Sequence, residues 1–181
     1  IVKAHSSHLG TSALIGSAII KAAENCEMPD GVFSMLFGSG RIIGQALINH
    51  PSVKAVGFTG SRTAGRLLFD IASQRDEPIP FFAEMGSINP TLILPEAMKN
   101  MPEKIAKLLA GSINLGTGQF CTNPGLLLLL KCEGYDRFID ELNNAISLSN
   151  PAVMLNENIY KSFEANKNSL LNQPNVHFLA K

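Results

Sequence analysis

Three cysteines and one carboxylate frame the chemistry open to this 181-residue chain. Cys121 stands in Gly116-Thr117-Gly118-Gln119-Phe120-Cys121-Thr122-Asn123-Pro124-Gly125. The thiolate is the nucleophilic form of cysteine, and a glycine-rich loop can turn backbone amides toward an oxyanion. The competing reading is an inert, buried thiol, the usual fate of a free cysteine. Cys26 and Cys132 carry only that reading: one falls inside a helix, the other at a strand end, and both are expected to be shielded by packing. Glu84 follows Phe81-Phe82-Ala83 and precedes Met85-Gly86. It reads either as a paired structural acid or as a general base. Two turns, Phe37-Gly38-Ser39-Gly40 and Phe58-Thr59-Gly60-Ser61, would let a phosphate approach the backbone where a following helix offers free N–H groups. The Gly38, Gly40, Gly44 spacing departs from the dinucleotide fingerprint, so ordinary tight turns stay open as a reading. His5, His8, His50 and His177 lack metal-ligand spacing, and no two cysteines form a CxxC pair, so no metal site is expected.

These groups need a scaffold, and the apolar pattern supplies one. Leu14, Ile15, Ala18, Ile19 and Ala22 recur at helical spacing within 11–27, with Thr11 or Ser12 as cap and Met28-Pro29-Asp30-Gly31 as stop. Short apolar strands are expected at 32–37, 53–58, 81–84, 91–94 and 126–131. Helices are expected at 41–49, 64–73, 98–113, 135–147 and 158–171. The end of one strand is expected at Ile1-Val2-Lys3, and a further strand at 176–179. Strands alternating with amphipathic helices predict an α/β fold with parallel sheets. The stretch Met85 to Pro90 is the expected boundary, giving units at 1–85 and 86–181.

Composition narrows the class further. Hydrophobic residues make up 45% and charged residues 17%, which favours a packed core over disorder. Fifteen basic residues balance fifteen acidic ones, so no net field draws the chain to nucleic acid or to an anionic membrane. The longest apolar run, Leu126–Leu130 with its neighbours, is far below the roughly 20 residues of a membrane span. Few, scattered cysteines and no signal peptide fit a cytoplasmic setting. The opening without Met suggests a piece of a longer protein.

Four motifs taken together resemble one family. Val2-Lys3, Phe58-Thr59-Gly60-Ser61, Glu84-Met85-Gly86 and Gly118-Gln119-Phe120-Cys121 are similar, in order and spacing, to the core motifs of the aldehyde dehydrogenase superfamily. The likeness covers nearly the whole chain and weakens after about Lys131. Residues 78–90 and 118–125 look most like the branch that includes α-ketoglutaric semialdehyde and long-chain fatty aldehyde dehydrogenases. The resemblance implies the second part of a Rossmann-type nucleotide-binding domain followed by the start of a catalytic domain.

It also implies roles, residue by residue. Cys121 would be the nucleophile, and Glu84 the base that activates the deacylating water. Lys3 would lie along the adenosine ribose, Gly60 and Ser61 at the pyrophosphate, and the Met85 backbone near the nicotinamide. In many NAD-preferring relatives the residue three beyond the motif lysine is glutamate; here it is Ser6. A neutral serine does not repel a 2′-phosphate. Arg41, directly after the Gly38 turn, is placed to reach the same phosphate or to stack on adenine. NADP is therefore the preferred cofactor and NAD the other. The implied substrate is a small aldehyde, and the whole protein is expected to be a homo-oligomer.

Departures matter. The family's Glu-Leu-Gly-Gly reads Glu84-Met85-Gly86-Ser87 here. The family's oxyanion asparagine and its Glu-x-Phe-Gly-Pro segment fall outside the chain, so the segment alone is expected to be inactive. Two other readings compete. A cysteine hydrolase would need a histidine partner for Cys121. A non-catalytic nucleotide-binding homologue would be free to lose Cys121 or Glu84, and both are present.

Overall fold

The structure is a computed structural model that describes residues 1–180. The chain divides into two compact units, Ile1–Gly86 and a second beginning at Ser87. The first unit runs β1 (Val2–Lys3), α1 (Leu9–Asn25), β2 (Met35–Leu36), α2 (Gly40–Asn49), β3 (Val56–Gly60), α3 (Arg62–Ser73) and β4 (Phe81–Met85). β1 pairs in parallel with β2, and β3 with β4, so two strand–helix–strand units follow one another. In the second unit, β5 (Pro90–Ile93) pairs in parallel with β6 (Leu126–Leu129). Between those strands lie α4 (Pro95–Asn100), α5 (Pro102–Asn114) and a tight 3₁₀ turn at Leu115–Gly118. Helices α6 (Tyr135–Ser147) and α7 (Glu157–Leu171) follow. Every strand pair is parallel, the α/β class that the alternating pattern predicts.

The second unit has the better core. Ile93, Met98, Ala106, Ala110, Phe138 and Leu142 are buried together, with Leu127 and Leu129 of β6 packed against them. In the first unit, Phe58, Phe69 and Phe81 form an aromatic cluster between β3, β4 and α3. The ring pairs stand 6.2 and 6.0 Å apart, within the range of attractive aromatic pairs.

Several expectations are corrected here. Helix α1 begins at Leu9, so neither Thr11 nor Ser12 caps it. His8 occupies the N-cap, and its Nδ1 lies 3.1 Å from the Ser12 hydroxyl one turn on. The buried face of α1 is its small one, Ser12 and Gly16, and Gly16 admits the Met35 side chain. Leu14, Ile15 and Ile19, the apolar stripe that marked the helix, are exposed. The helix expected at 98–113 is two helices, α4 and α5. Met101 leaves the helical region, with φ −143° and ψ 43°, and Pro95 and Pro102 each start a new helix where a missing N–H costs nothing. Strand β3 runs on through Gly60, beyond its expected end at Phe58, so the turn to α3 is shorter than the sequence suggests. Residues 176–179 form no strand. Cys26 is exposed, because α1 ends at Asn25 and leaves that residue at its C-cap.

Candidate active site

In the first unit, two helix N-termini carry the glycine turns. Ser39 caps α2, accepting a long hydrogen bond from the Ile42 N–H at 3.5 Å, and Ser61 caps α3, accepting from Ala64 at 3.3 Å. Serine caps in this way because its hydroxyl satisfies one of the free amides of the first turn. Neither helix has an acidic residue in that first turn. The Lys3 ammonium stands 3.3 Å from the point that a Cβ on Gly40 would occupy. A cation therefore faces the positive end of a helix dipole, an arrangement that favours an anion beside both. Arg41 adds a second exposed cation in that turn, and among the described residues it pairs with no carboxylate. Lys3, Gly38, Gly40 and Arg41 thus come together at one end of α2. Ser6 lies on an exposed turn, between His5 and His8, whose rings stack 5.0 Å apart.

Glu84 lies on β4 opposite Thr59 of β3. Alternation along the strands separates two faces. Phe58, Phe81 and Met85 turn toward α3, whereas Gly57, Thr59, Phe82 and Glu84 line a shallow depression on the other side. The Glu84 carboxylate is exposed and, among the described residues, has no hydrogen-bond or ion-pair partner. Met85 ends the strand with its side chain over Gly65 of α3; a Cβ at Gly65 would collide with the Met85 thioether and the Phe58 ring. Gly60, one step before the Ser61 cap, lies just as close to the Phe58 ring.

In the second unit, Cys121 is exposed on the loop that joins α5 to β6. The loop starts with an unusual backbone. Gly116, Thr117 and Gly118 take φ values of 60°, 59° and 70°, three left-handed residues in a row. Glycine adopts this freely, but for a β-branched threonine it is strained by about 1–3 kcal/mol. Side chains then tie the loop down. Asn123 Nδ2 lies 2.8, 2.8 and 2.9 Å from the carbonyls of Ser112, Ile113 and Leu115, the free acceptors at the end of α5. Gln119 donates to the Gly116 carbonyl at 3.0 Å and accepts from the Leu155 N–H at 2.9 Å. The Cys121 carbonyl accepts from Ser87 and from Asn89. Sequence reasoning missed Ser87, Asn89, Gln119 and Asn123. The available signal was Asn immediately before Pro at both 89–90 and 123–124, because asparagine tolerates turn geometry and bonds to nearby backbone. No group of three or more His, Cys, Asp or Glu side chains suited to a metal occurs among the described residues.

Comparisons with known proteins identify the family. The sequence pattern of the Aldehyde dehydrogenase family matches residues 6–153, and the chain belongs to that family. Among curated relatives, an alpha-ketoglutaric semialdehyde dehydrogenase of Acinetobacter baylyi is 42% identical over 180 residues, covering 99% of this chain and 34% of the relative. Alpha-ketoglutaric semialdehyde dehydrogenase 2 of Azospirillum brasilense is 47% identical over 176 residues, covering 97% and 34%. The chain thus spans about a third of the length of these relatives. Among solved structures, proline utilization A from Bdellovibrio bacteriovorus aligns with a TM-score of 0.80 at 20% identity, covering 97% of this chain and 19% of that one. The aldehyde dehydrogenase KauB from Pseudomonas aeruginosa aligns with a TM-score of 0.71 at 24% identity, covering 83% and 32%. These structural likenesses speak to the fold.

Proposed function

We propose that the protein carrying this chain oxidises a small aldehyde to a carboxylic acid with NAD(P)⁺, with Cys121 as nucleophile and Glu84 as general base. The observation that carries the reading is Cys121 itself. It is exposed on a loop anchored by polar side chains, in a chain of the aldehyde dehydrogenase family. The two curated relatives named above act on α-ketoglutaric semialdehyde by name, so a semialdehyde is the substrate class to try first.

The chain's own groups divide the work. The Cys121 thiolate adds to the aldehyde carbon, forming a C–S bond and a thiohemiacetal whose oxygen carries the charge. Loss of hydride from that carbon leaves a thioester on Cys121. Glu84, an unpaired carboxylate, takes a proton from water as the water oxygen attacks the thioester. The C–S bond breaks, the acid leaves and the thiolate returns. Bound NAD(P)⁺ supplies the hydride acceptor. The end of α2 would suit the charged part of that cofactor: the Lys3 ammonium lies beside the space that Gly40 leaves without a side chain, at a helix N-terminus whose next residue is Arg41. Gly60 and Ser61 offer a second N-terminus for the pyrophosphate, and the Met85 backbone would face the nicotinamide. Ser6, neutral where many NAD-preferring relatives carry glutamate, favours NADP. The units 1–85 and 86–181 would then serve nucleotide binding and catalysis, and the whole protein would work as a homo-oligomer.

The test is transient kinetics on the whole protein. Cys121→Ser should abolish aldehyde-dependent formation of reduced cofactor. Glu84→Gln should keep a first-turnover burst and lose steady-state turnover, because hydride transfer precedes hydrolysis. Turnover surviving in Cys121→Ser, or loss of the burst in Glu84→Gln, would overturn the respective assignment.

A further inference from the structure

One backbone carbonyl in the second unit is held far more firmly than its place on an exposed loop requires. The Cys121 oxygen accepts from the Ser87 hydroxyl and from Asn89 Nδ2, each at 2.6 Å. Both lone pairs of that oxygen are thereby engaged. Asn89 gives its other N–H to the Asn123 carbonyl at 2.9 Å, so one amide group spans two carbonyls of the loop. The Gly125 N–H adds a bond to the Ile88 carbonyl at 2.7 Å. Directly beyond these ties, Pro90 pairs with Leu126 in the β5–β6 ladder. The ladder is in effect continued by side chains from 87–89 to the loop at 121–125. Asn89 manages this with a φ of 45°, a left-handed conformation that asparagine accepts more readily than most residues. An oxygen bonded from two sides fixes the plane of the peptide between Cys121 and Thr122. It thereby restrains one of the two peptide planes that meet at the Cys121 Cα and together set the direction in which the side chain leaves the backbone.

We propose that Ser87 and Asn89 are positioning residues for Cys121: they clamp its carbonyl so that the thiol is presented in one orientation to the aldehyde. This rests on the reading of Cys121 as nucleophile. Attack needs the sulfur near van der Waals contact with the carbonyl carbon, and a misplacement of about 1 Å costs on the order of 100-fold in rate.

Two variants delete the donors without forcing the backbone. Asn89→Gly keeps the left-handed conformation available, and Ser87→Ala removes only the hydroxyl. Ser87→Thr is the conservative variant that keeps it. In the whole protein, kcat for aldehyde oxidation should fall by about 10–100-fold in Asn89→Gly and Ser87→Ala. The KM for the cofactor should stay at its wild-type value, and Ser87→Thr should restore kcat. Labelling of Cys121 by iodoacetamide, read by mass spectrometry, should slow several-fold in the same two variants, with Cys26 unchanged as an internal reference. Wild-type kcat and wild-type labelling in both variants would overturn the proposal. So would a fall in kcat that tracks loss of folded protein, or a Ser87→Thr variant as slow as Ser87→Ala. The labelling needs no aldehyde chemistry. If Cys121→Ser retained turnover, the nucleophile reading would fail, while the labelling rates would still decide whether the clamp orients the thiol.

Discussion

Replacing Asn123 with alanine should destabilise the second unit by about 2 kcal/mol, an estimate assembled bond by bond. Asn123 Nδ2 serves the carbonyls of Ser112, Ile113 and Leu115, so two N–H groups are shared among three acceptors. The bonds to Ser112 and Leu115 are exposed, and the Ile113 bond is partly buried. Exposed carbonyls regain water, so each lost bond costs only about 0.5 kcal/mol; the sheltered Ile113 carbonyl is orphaned at about 1–3 kcal/mol. Part of this returns, because Asn123 Oδ1 is buried without a partner among the described residues and alanine removes it. For a chain of this length, 2 kcal/mol corresponds to a Tm lower by about 4–8 °C. Asn123→Asp sharpens the argument. It keeps the shape, removes both donors and sets a carboxylate against three carbonyl oxygens, so it should cost at least about 1 kcal/mol more than alanine. Urea denaturation followed by circular dichroism measures both. An Asn123→Ala change within about 0.5 kcal/mol of wild type, or an aspartate variant more stable than the alanine one, would refute this account of the loop.

Other substitutions probe the same framework. Gly134→Ala should cost about 2–4 kcal/mol, since φ is +90° and a Cβ there would strike the Met98 carbonyl, a backbone group with little room to yield; a urea midpoint near wild type would count against the packing of α6 on α4. Gly65→Ala should cost less, about 1–2 kcal/mol, because the obstacle is chiefly the flexible Met85 side chain. Its mark should be faster amide exchange in β4, and exchange unchanged at 81–85 would contradict it. Ser6→Glu in the whole protein should raise the KM for NADP much more than that for NAD, through repulsion of the 2′-phosphate; equal changes in both constants would remove the cofactor preference.

What the sequence made legible was local. A cysteine in a glycine-rich loop, a glutamate in an apolar strand and small-residue turns ahead of two helices are signals contained in a few neighbouring residues; the structure places Cys121 in a loop, Glu84 on β4 and helices α2 and α3 directly after Ser39 and Ser61. Helix α1 shows where this stops. Its apolar repeat marks a helix correctly, yet the face it buries is Ser12 and Gly16, while Leu14 and Ile15 stay exposed. Periodicity reports that one face of a helix is apolar; what covers that face is a matter of tertiary contact. The break between α4 and α5 was hidden for a similar reason. Pro102 is consistent with a helix start or with a kink, and only the non-helical backbone at Met101 decides between them.

The ties around Cys121 were the least legible part, and the reason is physical. They join residues more than thirty positions apart through side-chain-to-backbone bonds, as in the contacts of Ser87 and Asn89 with Cys121. Such bonds leave no periodicity, because one amide and one hydroxyl suffice and their acceptors are carbonyls that every residue possesses. A loop held by apolar packing would have shown a run of large hydrophobic residues. This loop instead leaves Leu115 and Phe120 exposed and spends its polar side chains inward on backbone oxygens. That choice suits the nucleophile role proposed for Cys121. Polar anchors fix the backbone while leaving the Cys121 thiol open to a substrate, whereas an apolar plug firm enough to hold the loop would also cover the sulfur.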